Sequence, residues 1–111
     1  MLILIYDAVK GHPYRDGEVL SYVQKLCEAA ADVIPFVITF STTNILSAIR
    51  LAVHQGKLSC SDVELYFCDA NGVDQKLHIN NNGHLKYWPD GFCDTERKIR
   101  MSLLFGSRQI P

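Results

Sequence analysis

The chain has no surplus of either charge. Eleven Lys and Arg stand against twelve Asp and Glu, a formal net charge of −1. Non-specific phosphate binding rests on clustered Lys and Arg, so nucleic acid is not an expected partner, and charge gives no case for a membrane surface. No apolar run approaches the roughly 18 residues that a membrane span needs. The opening "MLILIYDAV" is apolar only at first, with no basic region before it and no small-residue cleavage site behind it, which predicts a cytoplasmic protein. Cysteine is sparse and dispersed: Cys27, Cys60, Cys68 and Cys93 form no C-x-x-C pair. His12, His54, His78 and His84 show no H-x-x-x-H or H-x-E spacing. A zinc site and a compact disulfide framework are therefore both unsupported, and no metal or cofactor is expected. Reduced Cys acts as a small hydrophobe. A Cys60 or Cys93 nucleophile activated by His84 has no supporting spacing.

What is present is ordinary globular material: 111 residues, 48% hydrophobic and 21% charged, which fits one domain spanning residues 1–111. The run Leu2 to Ile5 is continuous rather than alternating, which predicts a strand buried on both faces. After the breaker-rich "KGHPYRDG", Asp16 is placed to cap a helix with Val19, Leu20, Val23, Leu26, Cys27 and Ala30 on its apolar side. "VIPFVITF", Val33 to Phe40, predicts a second buried strand with Pro35 near its start. "STTN" offers caps for a helix carrying Ile45, Leu46, Ile49, Ala52 and Val53 on one face, with Gly56 just past its end. Val63, Leu65 and Phe67 alternate with polar neighbours, Asn71-Gly72 signals a turn, and Val73 to Ile79 is expected to return antiparallel. A last helix is predicted from Asp94 to about Leu104, supported by Glu96 with Arg100. The order β-α-β-α-β-β-α gives an α/β domain, three-layer-like, with a mixed, mainly parallel sheet and a C-terminal hairpin and helix.

The stretch "AIRLAVHQGKLSCSDVELYFCDANG" followed by "LHINNNGHLKYWPDGFCD" resembles the C-terminal end of bacterial ABC-type AAA ATPases, related to the SMC and RecF lineages and often found in phage-defence systems. There a helix of the form I-R-x-A-V-x-x-G leads to a hairpin and a W-P-x-G-F-F-D tail. The tail matches are Trp88, Pro89, Gly91, Phe92 and Asp94, with Cys93 in place of the second Phe. Further matches fall at Ile49, Arg50, Ala52, Val53, Gly56, Leu58, Asp62, Val63 and Gly83. The first 32 residues resemble, more loosely, a Walker B strand followed by L-H-P.

The resemblance implies the nucleotide-binding fold without its chemistry. A phosphate cradle needs G-x-x-x-x-G-K-[ST], and the sequence contains none. Anchored on His12-Pro13, the Walker B carboxylates fall on Ile5 to Ala8, where only Asp7 is acidic. The E-T-H-S that ends the next family strand falls on Thr39, Phe40, Ser41 and Thr42, so its Glu and His are missing. Asp7, His12 and Ser41 are thus vestigial positions. The expectation is a non-enzymatic remnant acting as a protein interaction or regulatory module; the alternative is a subunit completing a split ATPase site in trans with a phosphate-loop partner. The expected partners are a second copy, because the Leu2 to Ile5 strand and its edge lack the lobe that covers them in the family, or a full-length ATPase of the same family. Trp88 and Phe92 read as core plugs rather than a contact platform, "TFSTTN" as capping rather than an anion site, and Arg97, Lys98, Arg100 and Arg108 as a solvated helix face.

Overall fold

The computed structural model describes residues 1–69, 71–72, 74–89, 91–93, 99 and 103–104. Its elements are β1 (Leu2–Tyr6), α1 (Asp16–Ala30), β2 (Phe36–Phe40), α2 (Thr43–His54), a 3₁₀ turn at Cys60–Asp62, β3 (Val63–Cys68) and β4 (Asp74–Leu77). They build an α/β domain around a four-stranded sheet in the order β2-β1-β3-β4. β1 runs parallel to β2 and to β3, and β4 is antiparallel to β3. The mixed, mainly parallel sheet and the hairpin are those the sequence predicts. Asp94, Glu96, Arg97, Lys98, Arg100 and Arg108 of the expected last helix, and Val73 of the hairpin, lie outside the described residues.

The first strand departs from expectation in two ways. β1 is the inner strand rather than an edge, so its backbone is paired on both sides and the exposed parallel edge belongs to β2. It is also buried on one face only: Leu2, Leu4 and Tyr6 are buried while Ile3 and Ile5 are half-buried. Side chains alternate along a strand, and the register places Leu4 beside Ile38 and Leu65, and Tyr6 beside Phe40 and Phe67. These belong to the core. The opposite face carries Ile3, Ile5 and Val37 on one side. On the other, Tyr66 Oη donates to Glu64 at 2.9 Å and Lys76 pairs with Glu64 at 3.5 Å.

α1 and α2 pack against each other and contribute to the same core. On α1, Val19, Leu26 and Ala30 are buried, but Leu20, expected inside, is exposed, because one residue along a helix turns about 100° from Val19. Asp16 is the first helical residue, not the cap. It favours the positive end of the helix and accepts a bond from Asn44 Nδ2 at 3.0 Å. On α2 all five predicted apolar residues are buried. Gly56 ends it at φ 75°, giving its N–H to Val53 O at 3.1 Å while Lys57 N–H reaches Ala52 O at 2.9 Å. β2 is shorter than predicted: it starts after Pro35, which lacks an N–H, and Val33 and Ile34 stay exposed outside it.

The second turn latches onto α2. Asn80 Oδ1 accepts from Asn82 N at 2.9 Å and His84 N at 3.0 Å, and Asn80 N donates to His84 O at 2.8 Å. The turn so formed gives Gly83 O to Arg50 Nε at 2.8 Å and Asn82 O to His54 Nδ1 at 3.0 Å. Gly83 has φ 82°, and a Cβ there would lie 2.2 Å from Arg50 O. Both the backbone angle and the contact demand glycine.

Gly83→Ala is expected to destabilise the fold by at least the 1–3 kcal/mol or so typical of a strained non-glycine backbone, and to lower the melting midpoint. Alanine at Gly17, where a Cβ meets nothing within 4 Å, serves as the comparison and is expected to leave the midpoint unchanged or raised. Equal melting curves for the two variants would contradict the latch.

Candidate functional site

Parallel α/β sheets place ligands outside the carboxyl ends of their strands, where the chain reverses its direction of winding. Here the chain steps from β1 to β2 on one side, then crosses back to β3 on the other. The reversal falls between β1 and β3. A cleft of about 350 Å³ opens there, lined by Asp7, Ala8, Val9, Phe67, Cys68, Asp69, Asn71 and Gly91.

The structure brings Asp7, His12 and Ser41 together at this end of the sheet, and each has internal work. Asp7 follows β1, and its Oδ1 accepts Val9 N and Lys10 N, both at 2.9 Å. The Lys10 and Val9 amides hold its carboxyl below the usual Asp range. Gly11 N donates to Asp7 O at 2.9 Å, closing a turn that carries the chain across the end of β2. His12 then clamps the outer side of β2, with His12 N to Thr39 O at 3.0 Å and Ser41 N to His12 O at 3.1 Å. The crossing is close: a Cβ on Gly11 would lie 2.2 Å from the Phe40 carbonyl carbon. The His12 ring meets Glu18 at 3.2 Å and the Tyr14 ring edge-on at 4.4 Å.

The tail reaches the same end. Phe92 is fully buried, with ring centroids 5.2 Å from Tyr6 and 5.5 Å from Phe67. It is the plug, whereas Trp88 is half-buried, lying 5.5 Å from Phe92 with the Arg50 guanidinium 5.4 Å over its own ring. Burial holds the Arg50 guanidinium below its ordinary range. Pro89 O accepts Phe92 N at 3.1 Å, and Gly91 adopts φ 82°. Asp94, the last tail position, lies outside the described residues.

Two carboxylates at the cleft are engaged locally. The Asp7 oxygen is turned to its own backbone, and Asp69 Oδ1 accepts Asn71 N at 2.9 Å. Among the described residues no three His, Cys, Asp or Glu side chains converge to hold a metal ion. Partial burial, then hydrogen bonding to Asp74 and the nearby Asp7 charge, push the Cys68 thiol up, which suppresses the reactive thiolate. At the "TFSTTN" stretch the N-cap Thr42 makes no side-chain capping bond, against expectation; its hydroxyl donates to Asn44 Oδ1 at 2.7 Å, and Asn44 Oδ1 accepts Ile45 N at 2.8 Å while Asn44 Nδ2 donates to Tyr14 O at 2.7 Å.

A second depression, about 380 Å³, is lined by His12, Tyr14, Glu18, Ser21 and Tyr22. Tyr14 and Tyr22 stack at 5.8 Å and 19°. Neither this groove nor the Cys68–Asn71 wall was singled out by sequence reasoning. The i, i+4 spacing of Glu18 and Tyr22 was the one available signal for the groove.

Residues 58–103 match the model of a family described as a protein of unknown function, DUF3696. The matched stretch takes in β3, β4 and the tail through Phe92, but not Asp7, His12 or Ser41. No curated protein and no solved structure matches the chain. No helix among the described residues is long and apolar enough to cross a membrane.

Because the folded-state carboxyl of Asp7 titrates below its unfolded value, its contribution to stability is complete above the ordinary Asp range near pH 4. It is lost as pH falls through the depressed value. Asp7→Asn is therefore expected to flatten the stability profile below about pH 4 relative to the unchanged chain. Parallel acid-unfolding curves for the two proteins would show that the turn does not depend on the charge.

Proposed function

We propose that this chain is a non-catalytic interaction module, a degenerate remnant of an ABC-type AAA ATPase that kept its sheet and tail. The observation that carries the reading is the internal use of the site. The one carboxylate at the Walker B-like position binds its own turn, and the backbone groups of His12 and Ser41 clamp β2. Phosphoryl transfer works by positioning and charge stabilisation, and the sequence holds no G-x-x-x-x-G-K-[ST] phosphate cradle to provide them. The match over residues 58–103 covers the part of the chain that carries the tail motif and is in keeping with this reading. A partner is expected to be either a second copy or a full-length ATPase of the same type, which the shared sheet and tail would mimic.

One observation favours a second reading, a subunit that completes a split ATPase site in trans. The cleft beside Asp7 sits at the winding reversal, where such folds hold their ligands. In that case Asp7, His12 and Ser41 supply contacts to a nucleotide cradled by a separate phosphate-loop chain.

Calorimetric titration with magnesium-ATP separates these readings. The isolated protein is expected to give no binding heat and no phosphate release, with or without a phosphate-loop lobe from an ATPase of this type. A micromolar dissociation constant for the isolated chain would overturn the non-catalytic reading. Binding that appears only on mixing would establish the subunit in trans.

A further inference from the structure

We propose that the chain pairs with a second copy through the free edge of β2, antiparallel and centred on Val37, so that two sheets join into one. This names the partner surface of the interaction module and rests on that reading.

The two edges of the sheet differ in kind. β4 carries Asp74 and Lys76, the charged residues that discourage strand addition. Residues 33–40 carry no charge, and Val33, Ile34, Phe36 and Val37 form a consecutive apolar run, broken only by Pro35, in which every one of the four is exposed. A protein that leaves such an edge open invites pairing.

The hydrogen-bonding groups on that edge identify the partner. Phe36 N–H reaches Met1 O at 2.9 Å and Phe40 O accepts Asp7 N at 3.0 Å, so residues 36, 38 and 40 turn their backbone groups toward β1. Alternation turns residues 35, 37 and 39 outward. Of the outward groups, Thr39 O already accepts His12 N at 3.0 Å, and Pro35 has no N–H. Among the described residues, what remains is the Pro35 carbonyl, both groups of Val37 and the Thr39 N–H.

These are two donors and two acceptors, and their placement is symmetric about Val37. In an antiparallel pair, opposed residues exchange both of their bonds. With Val37 opposite Val37, each Val37 N–H meets the other copy's Val37 carbonyl. Each Thr39 N–H meets the other copy's Pro35 carbonyl. The two gaps also coincide, because the Thr39 carbonyl occupied by His12 faces a proline that has no proton to offer. The edge is thus its own complement, the condition for a closed two-fold interface. Its length is bounded by the bend before Pro35 at one end and the His12 clamp at the other. Phe36 comes to lie opposite Ile38 of the second copy on the packed face, and Val37 against Val37 on the open face.

Light scattering with charged variants at the symmetric position tests this. The unchanged chain is expected at about 25 kDa in the hundred-micromolar range, twice its 12.5 kDa. Val37→Lys and Val37→Glu are each expected at the single-chain mass, since like charges directly opposite repel. An equal mixture of the two is expected to regain the doubled mass. Val37→Pro removes an outward N–H and no bond to β1, and is expected to be monomeric while keeping a cooperative thermal transition, which guards against loss of fold. A monomeric unchanged chain overturns the proposal. So does a mixture that fails to pair, which rules out the Val37 register. A dimer that persists in all three variants removes β2 as the interface while leaving the interaction reading intact, and nucleotide binding tests that reading separately.

Discussion

Everything at the carboxyl end of the sheet depends on one row of aromatic rings. The three parallel strands each deliver one ring to the packed face at the same level: Phe40, Tyr6 and Phe67, with Tyr6 paired to both neighbours by register. The rings stand 5.5 and 5.9 Å from Tyr6, within the range at which tilted aromatic pairs attract. Such a row is wide and flat and needs a cover. Phe92 supplies it edge-on, with Trp88 behind. The tail motif thus closes the core at the carboxyl end of the sheet.

Two close backbone contacts fix loops of the domain. At Gly11 the chain crosses the Phe40 carbonyl, so the loop after β1 is pressed onto the end of β2. At Gly83 the second turn is pressed onto α2, and Arg50 ties the turn to Trp88 by donating to one and lying over the other. Of these residues Arg50, Gly83, Trp88 and Phe92 were all picked out as matches to the ATPase pattern. In the fold they form a connected set of contacts, which gives a packing reason for that spacing independent of any catalysis.

The parts of the fold legible in the sequence were those set by local periodicity and punctuation. α2 was read with its whole apolar face, Gly56 marked its end, and Asn71-Gly72 marked the hairpin. What escaped was set by non-local pairing. Nothing in "MLILIY" distinguishes an inner strand from an edge strand, or burial on one face from burial on two, because both depend on where β3 arrives some sixty residues later. The roles of Asp7, His12 and Ser41 were likewise invisible. A carboxylate at the end of a strand reads the same whether it faces a metal or its own turn, and a backbone clamp on β2 leaves no mark in side-chain identity. The functional expectation for Phe92 was closer, since a large ring beside Pro and Gly had to be placed somewhere dry.

The distance along the chain between the aromatic row and its cover has a consequence for synthesis. Tyr6 and Phe40 emerge from the ribosome early, yet the edge-on partner of Tyr6 is residue 92. At roughly 5–20 residues per second, the half-built sheet waits on the order of several seconds with its ring row uncapped. During that interval the apolar edge of β2 is also unguarded, except where His12 already crosses it. That early clamp, made between residues less than thirty positions apart, is among the contacts at the carboxyl end that need no part of the tail. It covers the carboxyl end of the β2 edge, and so gives the nascent chain a measure of protection against its neighbours on the same message, before the cover over the rings is translated.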